Sequence, residues 1–187
     1  GVEIALKMAI QYHKNAGSHD KTQILALEKA YHGDTIGTMS VGTRSVFHKL
    51  YEPLLFDVNH VASPADEFDF ASGKVKVEAS EAALADLEAL LKRKADQICG
   101  FILEPLIQGA GGMKFYSTEY LKGARKLCDQ YDVFLIADEV FVGTGRLGTY
   151  FAFEQAGVWP DIIALSKGLS GGYFPFAATL STEKVYQ

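Results

Sequence analysis

The sequence predicts an α/β fold in which a mostly parallel sheet is flanked by helices. Three observations carry that prediction. "ICGFILE" (98–104), "VFLIAD" (133–138) and "DIIALS" (161–166) are continuous apolar runs, as expected of strands buried on both faces. Between them lies "TEYLKGARKLCDQY" (118–131), whose apolar residues recur at helical spacing. Strands that alternate with helices in this way build a parallel sheet covered on both sides.

The remaining elements follow in chain order. Val2, Ala5, Leu6, Ala9, Ile10 and His13 share one helical face, and Gly17 ends that helix. "QILALEKA" (23–30) reads as a buried strand, followed by the glycine-containing turn "YHGDTIG". "LLFDVNHV" (54–61) holds a further strand. Ser80 is the expected N-cap of "EAALADLEALLKRKA" (81–95), whose leucines fall on one face. "FAATL" (176–180) is expected to add a last strand. There is no internal repeat and no low-complexity segment.

Composition narrows the function classes. The 187 residues suffice for one domain with a substantial core. A net charge of −5 gives no electrostatic footprint for nucleic acid or an anionic membrane. No apolar run approaches the roughly 20 residues that span a bilayer. Cys99 and Cys128 form no metal-ligand spacing and read as buried thiols of a reducing compartment, which places the protein in the cytosol. His13, His19, His48 and His60 show no ligand spacing either, so no metal is assigned. The chain opens on Gly1 within a helical pattern and closes at "STEKVYQ", another helix start, and it is read as an internal piece of a longer polypeptide.

"VFLIADEVFVGTGR" (133–146) poses the chemical question, because two carboxylates, Asp138 and Glu139, end a strand as apolar as any in the chain. A buried carboxylate needs a cation or hydrogen-bond donors. In open α/β sheets, ligands bind beyond the carboxyl ends of the strands. Tyr31 and His32, Glu104, Asp138 and Lys167 each follow or end a strand, so all converge on one edge. A lysine beside carboxylates points to covalent amine chemistry, in which the amine forms a Schiff base with a carbonyl. If that carbonyl belongs to pyridoxal phosphate, Asp138 is placed to keep the ring nitrogen protonated. Tyr31 would then stack on one ring face and Val140 lie against the other.

The motifs "YHGDT", "EPLIQGAGGM", "ADEVFVGTGRLG" and "PDIIALSKGLSGGYFP", in this order over nearly the whole chain, resemble the large domain of class III aminotransferases. The resemblance implies a fold type I pyridoxal-phosphate transferase that works as a homodimer with its active site at the interface. It implies that residues 1–187 are one cofactor-binding large domain, incomplete at both ends. The family's phosphate loop would precede Gly1, and its small carboxy-terminal domain would follow Gln187. Lys167 resembles the lysine that carries the cofactor and shuttles the proton, and Asp138 the partner of the pyridine nitrogen. Tyr31 resembles the tyrosine over the ring, with His32 and Gly33 in the same turn. Glu104 resembles the acid that supports the Asp138 region, and Asp34 a contact to the substrate amine; read locally, Asp34 is equally an N-cap for the following "TIGTMSV" segment. Arg146 is expected to order its loop.

Asp34 and "QGAGGM" further resemble the branch that aminates 8-amino-7-oxononanoate in biotin synthesis, with S-adenosylmethionine as the default amino donor. Two readings stand beside it: another class III ω-aminotransferase acting on ornithine, 4-aminobutyrate or a similar amine, and a Mg²⁺-dependent nucleotide hydrolase whose acids would be Asp138 and Glu139. The sequence departs from the family pattern at Phe141-Val142, where a small or polar pair is usual, and at Thr144, where an aromatic is common.

Overall fold

The computed structural model describes residues 1–69, 71 and 74–186. In chain order its elements are α1 (Val2–Asn15), β1 (Gln23–Leu27), α2 (Ile36–Val41), β2 (Asn59–Val61), β3 (Glu67–Asp69), β4 (Lys74–Lys76) and α3 (Glu78–Lys94). There follow β5 (Ile98–Leu103), β6 (Ile107–Gln108), β7 (Lys114–Phe115), α4 (Thr118–Gln130), β8 (Phe134–Asp138), β9 (Ile162–Leu165), β10 (Ala178–Ser181) and α5 (Glu183–Tyr186). The main sheet has six strands in the order β10-β9-β8-β5-β1-β2. Five run parallel, and only β10 is antiparallel, pairing Ala178 with Leu165. Two small antiparallel pairs, β3–β4 and β6–β7, lie apart from it.

The pleat divides each strand between two cores. Ile24 and Ala26 of β1 face the layer that holds Val2, Leu6 and Ala9 of α1, while Leu25 and Leu27 face Leu87 and Leu91 of α3 and Tyr120 of α4. Both faces are therefore dry, and this is why β5 and β8 are apolar at almost every position. Gly100 in β5 makes room for the side chain of Ile136 in β8, which a Cβ there would meet at 3.0 Å, while Ala9 of α1 would lie at an ordinary 3.6 Å. Cys99 and Cys128 are buried and free, and burial pushes both thiols up to about 12.

Three local expectations are corrected. The strand expected over 23–30 ends at Leu27, because Lys29 turns into the left-handed region at φ 62°. Ser80 does not cap α3, which begins at Glu78; the Ser80 hydroxyl instead donates to Asp66 at 2.6 Å. Asp66 also accepts the Ser117 N–H at the start of α4, so one carboxylate ties two helix starts together. Asp34 is not a cap either. The exposed amides of α2 are met from α1, where Glu3 accepts the N–H groups of Gly37 (3.0 Å) and Thr38 (3.3 Å).

Candidate active site

The carboxyl ends of β1, β5, β8 and β9 open into a cleft of about 380 Å³. It is lined by Tyr31, His32, Gly33, Glu104, Asp138, Val140 and Lys167, together with Gly109, Ala110, Met113 and Phe141. Every residue expected to contact a cofactor thus faces one space. A larger cavity of about 860 Å³ lies between α1 and α5, with Ile4, Gln11 and Lys184 in its wall, and holds none of them. The residues expected to contact the cofactor line the smaller cleft. Asp34 stands outside it, in an adjoining cavity of about 600 Å³ that shares Tyr31 and Ala110 with the cleft.

Asp138 and Glu139 are both buried and are satisfied in different ways. Asp138 Oδ2 lies 2.7 Å from His32 Nδ1, and its Oδ1 accepts the Val140 N–H at 3.1 Å. With Nδ1–H donating to the carboxylate, the ring is fixed in one orientation. His32 Nε2 is sealed from solvent and finds no hydrogen-bond partner among the described residues. Glu139 points away from the cleft, its two oxygens accepting the N–H groups of Ala152 and Phe153 at 3.0 Å each. These amides begin the 3₁₀ turn Ala152–Ala156, so Glu139 caps it from thirteen residues upstream. Burial, only partly offset by those two bonds, pushes its carboxyl up to about 7. Nothing in the sequence had singled out Glu139 for this role.

Glu104 braces the turn beside Asp138. Its Oε1 accepts the Tyr31 N–H at 3.3 Å, its Oε2 the Gly109 N–H at 2.9 Å, and its backbone carbonyl the Tyr116 hydroxyl at 2.5 Å. Burial raises its pKa, opposed first by the nearby His32. Tyr31 stands half in solvent at the mouth, with its hydroxyl donating to Asp34 Oδ2 at 2.9 Å. Burial, and then that bond, raise the pKa of its phenol.

Lys167 follows β9 and opens the 3₁₀ turn Lys167–Leu169. Its φ of 40° is unfavourable for a residue with a side chain, and such strain gathers at functional sites. The turn is closed by the Leu169 N–H on the Ser166 carbonyl (2.9 Å) and by the Ser166 hydroxyl on the Phe176 carbonyl (2.7 Å). Gly168 is required where Thr144 crosses over it: a Cβ there would lie 1.9 Å from Thr144 Oγ1. The small Thr144 therefore fits against the lysine turn. Arg146 lies in that same loop, with its guanidinium carbon 5.6 Å from the centre of the Phe141 ring.

The arrangement argues against a metal–nucleotide site, because His32 and three backbone amides already occupy the oxygens of Asp138 and Glu139. It fits pyridoxal phosphate. The cleft volume is within the range of small-ligand sites. A carboxylate stands at its inner wall, an amine at its rim, and an aromatic and a valine in its lining.

Comparison with known proteins agrees. The family model described as Aminotransferase class-III matches residues 1–187. The chain is 46% identical over 188 residues to adenosylmethionine-8-amino-7-oxononanoate aminotransferase of Nitratidesulfovibrio vulgaris, covering 99% of this chain and 34% of the relative. It is also 46% identical over 188 residues to the protein of that name in Staphylococcus aureus, covering 41% of it. Among solved structures it resembles the enzyme of that name from Methanocaldococcus jannaschii (38% identity, TM-score 0.83, 99% of this chain and 40% of that one). It also resembles a PLP-bound amine transaminase from an uncultivated Pseudomonas species (35% identity, TM-score 0.90, 99% and 42%). The chain therefore spans well under half the length of these relatives.

Proposed function

The chain belongs to the class III aminotransferases, and from that premise we propose that the complete polypeptide transfers an amino group to 8-amino-7-oxononanoate, giving 7,8-diaminononanoate. S-adenosylmethionine is the proposed donor, and the working unit is a homodimer in the cytoplasm. The observation that carries the chemistry is the pairing, across one cleft, of a strained lysine with an aspartate locked by a buried histidine. The choice of substrate rests on the curated relatives at 46% identity.

Pyridoxal phosphate, bound there, supplies an aldehyde that holds the amino group and a protonated ring that accepts the electron pair of the substrate carbon. This chain's residues do the rest. Asp138 would present its carboxylate to the ring nitrogen, and His32 Nδ1–H keeps that carboxylate in orientation. Glu104 fixes the Tyr31 turn and the Gly109 strap on either side. Lys167 Nζ would hold the cofactor through its aldehyde, and its amine would serve as the base that takes the proton from the amine-bearing carbon of the donor. Tyr31 and Val140 wall the ring, and the Tyr31–Asp34 pair faces the adjoining cavity, where an ammonium would find a carboxylate.

The test is conversion of 8-amino-7-oxononanoate with S-adenosylmethionine as donor, followed by mass spectrometry of the product. Conversion supports the proposal. Conversion only with ornithine or 4-aminobutyrate as donor, and no use of the oxononanoate, favours the ω-aminotransferase reading that the amine transaminase likeness supports.

A further inference from the structure

Phe141 stands where a small or polar residue is usual, and its surroundings show what it does. Its ring lines the cleft and partly joins the core beneath. Lys167 Nζ lies 5.6 Å from the ring centre, within reach of a cation–π attraction. The ring also packs on the Gly109 backbone, where a Cβ would meet Phe141 Cδ1 at 2.9 Å, so glycine is needed to seat it. Gly109 is itself held by Glu104 through its N–H. The ring is thus pinned from the strand-end side and offered to the lysine on the loop side.

We propose that Phe141 is a positioning residue for Lys167: its ring face is where the lysine ammonium rests whenever the amine is not joined to a carbonyl. The contact keeps the released lysine inside the cleft rather than in solvent until a carbonyl or an acidic carbon is presented. Its use in catalysis rests on the transaminase reading above, but the contact itself does not.

The experiment measures the reactivity of Lys167 in the complete polypeptide freed of pyridoxal phosphate. Trinitrobenzenesulfonate at neutral pH labels only neutral amines, and peptide mapping gives the rate at Lys167 against Lys49 as an internal reference. An exposed cation–π contact corresponds to about a two- to fivefold protection. Phe141→Leu is expected to speed labelling of Lys167 by that factor and leave Lys49 unchanged, while Phe141→Tyr, which keeps the ring face, restores the wild-type rate. Fluorinated phenylalanines at position 141 keep the side chain's shape while draining its face of electron density. They should raise the rate stepwise with fluorine number, and they decide the matter even if Phe141→Leu folds poorly.

A flat fluorine series, or Phe141→Tyr labelled as fast as Phe141→Leu, overturns the proposal and leaves Phe141 as packing on Gly109. A graded series in a polypeptide that never takes up pyridoxal phosphate upholds the contact and refutes the transaminase reading instead.

Discussion

The two walls of the cleft are built on opposite principles. The strand-end wall, with His32, Glu104 and Asp138, is buried, and its acids are held by donors in the short turns that leave β1, β6 and β8. The loop side, with Phe141 and Lys167 in the lining and Thr144 and Arg146 packed beside them, is half-buried or exposed, and two of these residues take positive φ. The first wall must hold one electrostatic state without relaxing, which preorganised dipoles in a dry setting achieve. Under the proposed function, the second must let a lysine move between partners, which a packed β-strand would forbid. Glu139 joins them: it follows Asp138 at the end of β8 with its side chain turned away from the cleft, and its carboxylate holds the far end of the loop that carries Phe141 and Thr144.

That contrast can be broken from either side. The largest effect is expected on the loop wall, where Lys167→Ala should abolish turnover, measured as loss of product under saturating donor. On the strand-end wall, Asp138→Asn keeps the shape but no longer holds the ring N–H⁺, and turnover should fall on the order of a hundredfold or more. Cofactor capture by Lys167 should survive that change, and the absorbance of the bound cofactor checks it.

Glu139→Ala removes the link and leaves two buried amides without acceptors, at a cost of about 2–4 kcal/mol in urea unfolding. Its pH signature sharpens the point. The Glu139 carboxyl is pushed up to about 7 in the folded chain, against about 4.3 when unfolded. Between those values only the folded state holds the proton, so its contribution is fully present below about pH 4 and is lost as pH rises toward 7. Wild type should therefore lose stability across that window, on the order of 3 kcal/mol, relative to Glu139→Gln, which cannot titrate. The smallest effect is expected far from the cleft, where Ser80→Ala removes the hydroxyl bond to Asp66 and should cost about 1 kcal/mol.

What the sequence revealed and what it hid follow the same division. The strands were legible because β5 and β8 are buried on both faces and so are written as unbroken apolar runs. The strand-end residues were legible because topology alone brings them together. The caps were not: Glu3 serves amides 34 and 35 residues away, and Asp66 serves Ser80 and Ser117. A local reading gave that duty to Ser80 and weighed Asp34 for it, since capping signals are local and these contacts are not. The split between Asp138 and Glu139 was hidden for a related reason. Adjacent residues of a chain leaving a strand face opposite sides, and only the packed loop shows that one side holds His32 and the other the amides of Ala152 and Phe153. Phe141 stood out as unusual, and its meaning became visible only beside Gly109 and Lys167.

The central claim is that Lys167 and Asp138 form one pyridoxal-phosphate site. The most direct measurement incubates the complete polypeptide with pyridoxal phosphate, records the near-visible absorbance, reduces with borohydride and maps the modified peptide. The account predicts a new absorbance band and a single pyridoxyl group on Lys167; when Asp138 is replaced by Ala the group stays on Lys167 but the cofactor is held more weakly. A pyridoxyl group spread over surface lysines, or none at all, would contradict it.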